Sequence, residues 1–221
     1  MNTEEQVLAR WNQNAAPWIT AIGNQEISSR KLVTDAAIVS AVLATRAKTV
    51  LDVGCGEGWL VRALGSLGLQ ARGVDAVPAL ITEATRLGGE FSVASYEDIA
   101  GGAACGTADT VCCNFALIGK ESVERLFACV PSLLNPNGRF IVQTLHSQEA
   151  CGDLPYADGW REGSWAGFND AFRDAPPWYF RTLESWRALF RASGLNLVSE
   201  TWPIHPTTGR PASVVFQAAV P

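Results

Sequence analysis

Three glycines stand at alternate positions of the segment VLDVGCGEGWL, directly after an apolar run. Gly54, Gly56 and Gly58 leave the backbone without side chains where a strand is expected to end and a helix to begin. Such a turn lets the chain approach a bound nucleotide closely and points the amides of the helix N-terminus at it. A complete Gly-x-Gly-x-x-Gly fingerprint would place a glycine at position 59, but Trp59 stands there, which weakens the prediction of a nicotinamide dinucleotide.

A carboxylate follows the glycine turn at a spacing that is typical of nucleotide-binding folds. Asp75 ends the next apolar run, about 20 residues downstream. At the end of a second strand, a carboxylate lies beside the ribose and accepts hydrogen bonds from both hydroxyls. Taken alone, the glycines could serve only the turn, and Asp75 could merely cap the helix that Pro78 begins. Together, at this spacing, they favour an adenosine-bearing ligand.

The chain around these residues alternates between strand patterns and helix patterns. Strands that alternate with helices form a parallel sheet through right-handed crossovers, which predicts a doubly wound α/β fold. The last two strands are joined by a short link rich in proline, which has no room for a crossover helix, so we predict an antiparallel hairpin. The predicted strands are 49–53, 71–75, 91–94, 109–114, 138–144, 195–202 and 213–219, and the predicted helices between them are 58–67, 78–87, 121–134 and 183–194.

Two segments lie outside this alternation. Residues 3–22 have helical spacing, with Pro17 marking a kink or a break, and the helix that follows is predicted to be capped by Thr34 or Asp35. Residues 147–182 are rich in aromatic side chains without clear periodicity and predict an insert over the sheet. A single domain, 1–221, is therefore divided into a helical cap (1–33), a cofactor-binding core (34–146), a substrate-side insert (147–182) and a C-terminal helix with hairpin (183–221).

Composition narrows the class of protein. The 221-residue chain has a formal net charge of −5 and no run of Lys or Arg, so nucleic acid is not expected as a partner. Its six cysteines lack zinc spacing and lie in apolar segments, which predicts reduced thiols and no metal. No stretch reaches the roughly 18 apolar residues of a membrane helix, and the first residues do not have the pattern of a signal peptide. We expect a cytoplasmic protein without a membrane partner, and the oligomeric state is not predicted.

Four segments of the chain resemble a known enzyme family. VLDVGCGEGWL followed by GVDAVPALI resembles the first motif and its successor in class I S-adenosylmethionine-dependent methyltransferases. ADTVCCNFALI is similar to that family's fourth strand and ligand-facing loop, and LLNPNGRFIVQTLH to its fifth strand with the preceding turn. The resemblance runs from about residue 34 to residue 221, and RWNQNAAPW and YFRTLESWRALFRASGL are further similar to ubiquinone-biosynthesis O-methyltransferases.

This resemblance has implications for fold and chemistry. It implies a Rossmann-like, seven-stranded, mostly parallel sheet that contains one reversed strand. It also implies transfer of a methyl group from S-adenosyl-L-methionine to an O, N or C atom of a small molecule by in-line displacement. The product cofactor is then S-adenosyl-L-homocysteine, and no metal is required.

The resemblance implies roles for residues at the methionine end of the cofactor. The backbone of Gly54, Cys55 and Gly56 would approach the methionine moiety. Asp52 would accept a hydrogen bond from the cofactor ammonium group, from the glycine turn, or from both. Arg30 either pairs with the cofactor carboxylate or is solvated at a helix start beside a lysine.

Residues near the adenosine and the sulfonium are implied in the same way. Asp75 would hold the ribose. Relatives often have an aspartate after the third strand to bind adenine, and here that place is taken by Ser95, followed by Tyr96 and Glu97. The end of the fourth strand would lie under the sulfonium, with a cation–π contact from its aromatic residue or that residue serving as plain core. The residues there are Cys113, Asn114 and Phe115.

On the acceptor side, a histidine is the candidate general base. His146 follows the carboxyl end of the fifth strand, and its ordinary pKa suits proton transfer at neutral pH. The alternative is a loop histidine that makes one structural hydrogen bond. Aromatic residues of the cap and the insert are predicted to form an apolar acceptor pocket, or else to serve the core of the insert itself. The residues predicted to face the acceptor are Trp11, Trp18, Trp165, Tyr179 and Arg181.

Two other functions remain open on the sequence alone. An NAD(P)-binding oxidoreductase would need the missing third glycine and a catalytic Tyr-Lys or His-acid pair, and neither pattern is found. A protein that binds S-adenosylmethionine without turnover is also compatible, because methyl transfer requires no diagnostic catalytic residue. DNA-adenine methylation is disfavoured, because the fourth strand is not followed by an Asn/Asp-Pro-Pro-aromatic motif.

Overall fold

The centre of the protein is a seven-stranded sheet, seen in a computed structural model that describes residues 3–103 and 105–221. Residues 1, 2 and 104 lie outside the described part of the chain. The strands of the sheet are β1 (Thr49–Val53), β2 (Gln70–Asp75), β3 (Glu90–Val93), β4 (Ala108–Asn114), β5 (Leu134–Thr144), β8 (Asn196–Thr201) and β9 (Val214–Ala219). Two further strands, β6 (Gly159–Arg161) and β7 (Trp178–Phe180), lie outside this sheet.

The strand order confirms the predicted fold class. Neighbouring strands follow the order β3-β2-β1-β4-β5-β9-β8, with parallel pairs from β3 to β5. Strand β9 runs antiparallel to both β5 and β8, so it is the one reversed strand of the sheet. Because the order turns back between β1 and β4, the carboxyl ends of these two strands open into a crevice where ligands bind in such folds.

Helices cover both faces of the sheet. Leu51 and Val53 of β1 belong to a core shared with the last two long helices, whereas Val50 faces the opposite core. This alternation follows from the two-residue period of a strand. The helices are α1 (Thr3–Gln13), α2 (Ala15–Gly23), α3 (Asp35–Ala44), α4 (Trp59–Ser66), α5 (Pro78–Leu87), α6 (Tyr96–Ala100), α7 (Glu121–Leu133), α8 (Ser147–Cys151) and α9 (Leu183–Ala192). In the described part of the chain, none of these helices is both long enough and apolar enough to cross a bilayer.

The N-terminal region differs from the prediction in two places. The break between α1 and α2 lies at Asn14, not at Pro17. Pro17 is the third residue of α2, where a missing N–H costs no intrahelical hydrogen bond. The predicted cap at Thr34 or Asp35 is also wrong, because a π-helical turn over Arg30–Thr34 runs directly into α3 and neither side chain caps it.

The aromatic insert contains structure that the sequence did not predict. Strands β6 and β7 pair antiparallel and form a separate two-stranded sheet. The backbone of Tyr179 donates to the Ile118 carbonyl at 2.8 Å, which ties β7 to the turn before α7. The insert is therefore attached to the loop after β4.

The aromatic core beneath α7 and α9 generates a stability prediction. Phe127 is fully buried, and its ring centroid lies 5.1 Å from that of Phe140 and 5.0 Å from that of Phe190. Because Phe127→Ala leaves a cavity among these rings, we expect the free energy of unfolding to fall by about 3–5 kcal/mol in urea denaturation. Leu87→Ala is the control, since Leu87 is 44% exposed and such surface changes stay within about 0.5 kcal/mol. Equal effects of the two substitutions would contradict this packing.

Candidate active site

A cavity of about 950 Å³ opens at the carboxyl ends of the parallel strands. Its floor is formed by the loops after β1, β2 and β4, and α1 and α2 of the cap cover it. Ligand sites in proteins typically measure about 300–1,000 Å³, so this cavity has room for a nucleotide-sized molecule and a second small molecule. It lies at the place where the strand order turns back.

The glycine turn forms one wall of the cavity at very close range. Gly54, Gly56 and Gly58 all have positive φ angles, of 79°, 58° and 81°. A Cβ at Gly54 would overlap the side chain of Ala116, so only glycine lets the turn pack against the loop after β4. At Gly56 the space on this side is open to the cavity, and the nearest atom to a Cβ there would be Trp18 Nε1 at 3.8 Å. The turn therefore presents bare backbone to a ligand beneath α2.

Asp75 is oriented by the backbone on both of its oxygens. The Gly56 amide donates to Oδ2 at 2.9 Å, and the Val77 amide donates to Oδ1 at 2.9 Å. The carboxylate thus serves the start of α5 and also lines the cavity. Each oxygen accepts one hydrogen bond here and has capacity for another, so the carboxylate can also accept from two neighbouring hydroxyls.

Asp52 places a second carboxylate at the floor of the cavity. It is 2% exposed, and its hydrogen bond comes from Cys112 Sγ at 3.7 Å rather than from the glycine turn. Burial, followed by the nearby charges of Asp75 and Glu57, raises the pKa of Asp52 to about 7. The approach of a cation stabilises the charged form of such a buried carboxylate.

Unpaired polar atoms line the same space. Among the described residues, Asn114 Oδ1, Thr34 Oγ1 and Trp11 Nε1 are buried without a hydrogen-bond partner, and all three residues line the cavity. Buried polar atoms are nearly always paired in folded proteins, so unpaired ones in a cavity indicate a polar ligand. Asn114 is the last residue of β4. Strand β4 pairs with β1, and Asp52 of β1 lies opposite Cys112 of β4.

Arg30 lines the cavity and is not solvated as one alternative expected. Its Nε donates to Asp35 Oδ1 at 3.0 Å, and its guanidinium stacks 4.7 Å from the centroid of the Trp59 ring. Glu57 also lines the cavity, where burial raises its pKa and the positive charge of Arg30 opposes that rise. The contact with Asp35 uses Nε, and the planar terminal nitrogens of Arg30 retain donors for a carboxylate.

The residues after β3 line the cavity in three different ways. Ser95 caps α6, since its Oγ accepts from the Asp98 amide at 3.1 Å and lies 2.7 Å from the Asp98 carboxylate. Tyr96 reaches across the cavity floor, where its hydroxyl donates to the Ala116 carbonyl at 3.0 Å. Glu97 lies at the rim and pairs with Arg125 at 2.9 Å. The Ser95 hydroxyl proton is thereby committed to the cap.

The end of β4 carries backbone strain at the cavity. Phe115 lines it with a φ of +54°, a left-handed conformation that is an outlier for a bulky side chain. Such strain concentrates at functional sites. Cys113, predicted to face the cofactor, is fully buried in the core beneath α7 and does not line the cavity. The strand period turns its side chain away from the crevice.

The structure places His146, the predicted general base, outside the cavity. Its ring packs 4.7 Å from that of Trp202, and it does not line the cavity. Neither ring nitrogen has a hydrogen-bond partner among the described residues, and burial lowers the pKa of His146. Leu145, one residue earlier, takes the place at the cavity instead.

The predicted acceptor residues of the insert also lie elsewhere. Trp165 packs in an aromatic cluster 4.5 Å from Phe172 and 5.8 Å from Trp11, and its Nε1 donates to the Arg173 carbonyl. This cluster supports the outer side of the cap. Trp11 and Trp18 of the cap do line the cavity.

Tyr179 and Arg181 are placed beside the turn before α7. Arg181 is 3% exposed and donates to the carbonyls of Gly119 at 2.9 Å and Lys120 at 3.0 Å. Its guanidinium also stacks 4.8 Å from the Tyr179 ring. Neither residue lines the cavity, so the structure does not bring these two predicted acceptor residues into its wall.

Other lining residues were not identified from the sequence. Six of the apolar ones come from five separate parts of the chain, and no single spacing connects those parts. Of these six, only Trp160 lies in the segment whose aromatic content predicts a pocket wall. The six residues are Val7, Leu8, Ile27, Ile118, Leu145 and Trp160.

Comparison with known proteins decides the family. The sequence profile of a family described as methyltransferase domain matches residues 29–200. The chain belongs to this family. This match and the sheet order confirm the resemblance to class I S-adenosylmethionine-dependent methyltransferases.

Individual relatives are more distant. The ubiquinone biosynthesis O-methyltransferase of Xanthomonas axonopodis pv. citri (strain 306) is 33% identical over 118 residues, which cover 51% of this chain and 49% of that enzyme. The chain thus spans about half the length of the curated relatives it matches. The DhpI–SAH complex has a TM-score of 0.68 at 17% identity and covers 99% of this chain and 98% of that one. Magnesium protoporphyrin IX methyltransferase (ChlM) of Synechocystis PCC 6803 with bound SAH has a TM-score of 0.59 at 19% identity, covering 84% and 81%. At these identities the two structures show the shared fold.

The buried carboxylate of Asp52 generates a pH prediction. Because its folded-state pKa is raised to about 7, the native state holds a proton that the unfolded state releases above its ordinary pKa of 3.8. The contribution of Asp52 to the stability of the ligand-free protein therefore falls as pH rises between these two values, and levels off above the upper one. We expect Asp52→Asn to remove this component, so that the variant gains stability relative to the wild type from pH 5 to pH 8 in urea unfolding. Parallel pH curves for the two proteins would contradict it.

Proposed function

We propose that the methyltransferase domain binds S-adenosyl-L-methionine in this cavity and methylates a small, largely apolar molecule. The observation that carries the proposal is the convergence of Asp52, Asn114 and Asp75 on one cavity behind a side-chain-free glycine turn. Family membership and structural neighbours with bound S-adenosylhomocysteine support it. The six cysteines are free thiols, which supports a reducing compartment such as the cytoplasm.

The polar residues of the cavity suit the groups of this cofactor. Its ammonium group needs acceptors, which Asp52 and the unpaired Asn114 Oδ1 provide. Its carboxylate needs a cation, and Arg30 lies in the lining with terminal nitrogens to offer. Its ribose needs an oriented acceptor pair, which Asp75 supplies. The match gives Asn114 Oδ1 the partner that the fold leaves it without, and it uses remaining hydrogen-bond capacity of the other three residues.

The acceptor end of the cavity indicates what kind of molecule is methylated. Its walls contain Ile118, Leu145 and Trp160, together with apolar residues of the cap. No histidine or lysine of the described residues lines the cavity, although carboxylates such as those of Glu5 and Glu121 do. We therefore propose an apolar or aromatic acceptor whose nucleophilic oxygen is already acidic, or which loses its proton to solvent or to a lining carboxylate. The O-methyltransferase relatives favour oxygen over nitrogen.

The residues of the chain contribute positioning more than acid–base chemistry. When bound, the cofactor supplies an electrophilic methyl group on a sulfonium. The glycine turn, Asp52 and Asp75 fix the position of that group, while α1 and α2 keep water out of the cavity. Fixing two reactants in line can lower a barrier by up to about 7–11 kcal/mol, so a catalytic base is not a requirement.

Calorimetry with S-adenosylhomocysteine tests the donor site. In Asp75→Asn, the loss of charge-assisted hydrogen bonds to the ribose should raise the Kd at least about tenfold. Glu83→Gln is the matched control, because Glu83 lies on the adjoining α5, pairs with Arg86 at 2.6 Å and does not line the cavity. Its Kd should equal that of the wild type. Binding of NAD without binding of S-adenosylhomocysteine would contradict the proposal.

A labelled-methyl assay tests turnover and the role of His146. The wild type should transfer label from S-adenosylmethionine to small molecules of a metabolite extract. Because His146 packs against Trp202 outside the cavity, His146→Ala should keep the rate within about threefold, whereas loss of a true general base costs about 100-fold or more. A hundredfold loss in a folded variant would restore His146 as the base. Absence of labelled product from every extract would favour a non-catalytic binder.

A further inference from the structure

Helix α1 covers the cavity without being part of the core. None of its residues is buried, although its inner face lines the cavity with Val7, Leu8 and Trp11. Helix α2 is different, since Ala15 and Ala21 are buried and α2 packs on the start of α5. The cap therefore consists of an anchored helix and a helix that rests on the cavity.

The Glu4 side chain attaches the tip of α1 to the opposite side of the cavity. The Glu4 carboxylate accepts from the backbone amides of Lys120 at 2.6 Å and Glu121 at 2.9 Å, and from Ser122 Oγ at 2.7 Å. These donors are the start of α7, whose own residues provide no side-chain cap. A negative charge at this position satisfies amides that the helix leaves free and complements its dipole.

The receiving turn is built for this contact. A Cβ at Gly119 would overlap both the Glu4 carboxylate and the Ser122 hydroxyl, so a larger residue there would displace these two side chains from their present contact. The buried Arg181 holds the same turn through the carbonyls of Gly119 and Lys120. Strand β7 fixes it further through the Ile118 carbonyl. The turn is thus held by contacts other than Glu4, so we expect α1 to be the partner that moves.

The base of α1 is held by the insert. Asn14 is fully buried, and its side chain donates to the Arg173 carbonyl at 2.7 Å and accepts from the Arg173 amide at 2.8 Å. The dihedral angles leave the helical region at this residue, with φ −102° and ψ 10°, while its backbone keeps hydrogen bonds to Arg10 and Trp18. Arg10 adds an exposed ion pair to Asp174 at 2.7 Å. A pinned residue at which the helical dihedrals are interrupted is suited to act as a hinge.

We propose that α1 is a gate for cofactor exchange, hinged at Asn14 and latched by Glu4 on the N-terminus of α7. The inference rests on the proposed function, since the molecule exchanged is S-adenosylmethionine or its product. With the latch closed, α1 covers the cavity, and with it open, α1 keeps its attachments to the insert near its base, through Arg10 and Asn14. Both the rate of cofactor binding and the rate of product release are then limited by the same opening step.

Stopped-flow tryptophan fluorescence tests the gate, since Trp11 and Trp18 line the cavity. For the wild type, the observed rate of S-adenosylhomocysteine binding should level off at high ligand concentration, at the rate of gate opening. Glu4→Ala should raise the association and dissociation rate constants together by about tenfold, equivalent to about 1.4 kcal/mol. Glu4→Gln, which keeps an acceptor without charge, and Ser122→Ala, which removes one donor, should give smaller increases.

The matched control is Glu124→Gln, which removes a charge from the first turn of α7. Glu124 pairs with Lys120 at 3.3 Å and does not line the cavity, so both rate constants should stay at wild-type values. Thermal unfolding of each variant without ligand checks the fold, which should persist because α1 buries no residue.

The outcomes separate the gate from the proposed function. Rate constants unchanged in Glu4→Ala would overturn the gate alone. A rise confined to dissociation would show that Glu4 contacts the ligand, and would overturn the gate as well. If the wild type does not bind S-adenosylhomocysteine at all, the proposed function fails and the gate fails with it.

Discussion

The hydrogen bond from the Gly56 amide to the Asp75 carboxylate, 2.9 Å long, joins the two loops on which the site depends. It holds the glycine turn after β1 and the acid after β2 in one fixed relation, and the Val77 amide completes the orientation of the carboxylate. The turn can lie this close only because Gly54 has no Cβ to meet Ala116. Backbone geometry at two adjacent strand ends, more than any reactive side chain, therefore defines the cavity.

The same arrangement leaves the ligand-free protein with electrostatic strain. Asp52, Glu57 and Asp75 lie close together, and burial raises the pKa of all three carboxyl groups. Such groups destabilise an empty site and favour a ligand that carries a cation and hydroxyl donors. The left-handed backbone of Phe115 is a second local cost at the same edge. Binding and stability thus make opposite demands on these residues.

The sequence predicts those parts of the structure that follow from a regular spacing of residues along the chain. The strands of the core, the glycine turn and Asp75 follow from periodicity and spacing along contiguous segments, and the strand order confirms the fold. His146 lies outside the cavity because, past the end of β5, a single residue decides which side chain meets it, and that residue is Leu145. Trp165 and Arg181 have partners distant in sequence, namely the cap and the turn before α7, and no local period encodes such contacts.

A crystal structure of the complex with S-adenosylhomocysteine tests the central claim most directly. The account predicts both ribose hydroxyls within about 2.6–3.2 Å of the Asp75 carboxylate, a range set by ordinary hydrogen-bond geometry. It also predicts the amino-acid tail along the glycine turn, with its ammonium between Asp52 and Asn114. A ligand bound elsewhere, with Asp75 contacting only backbone amides and solvent, would contradict the account.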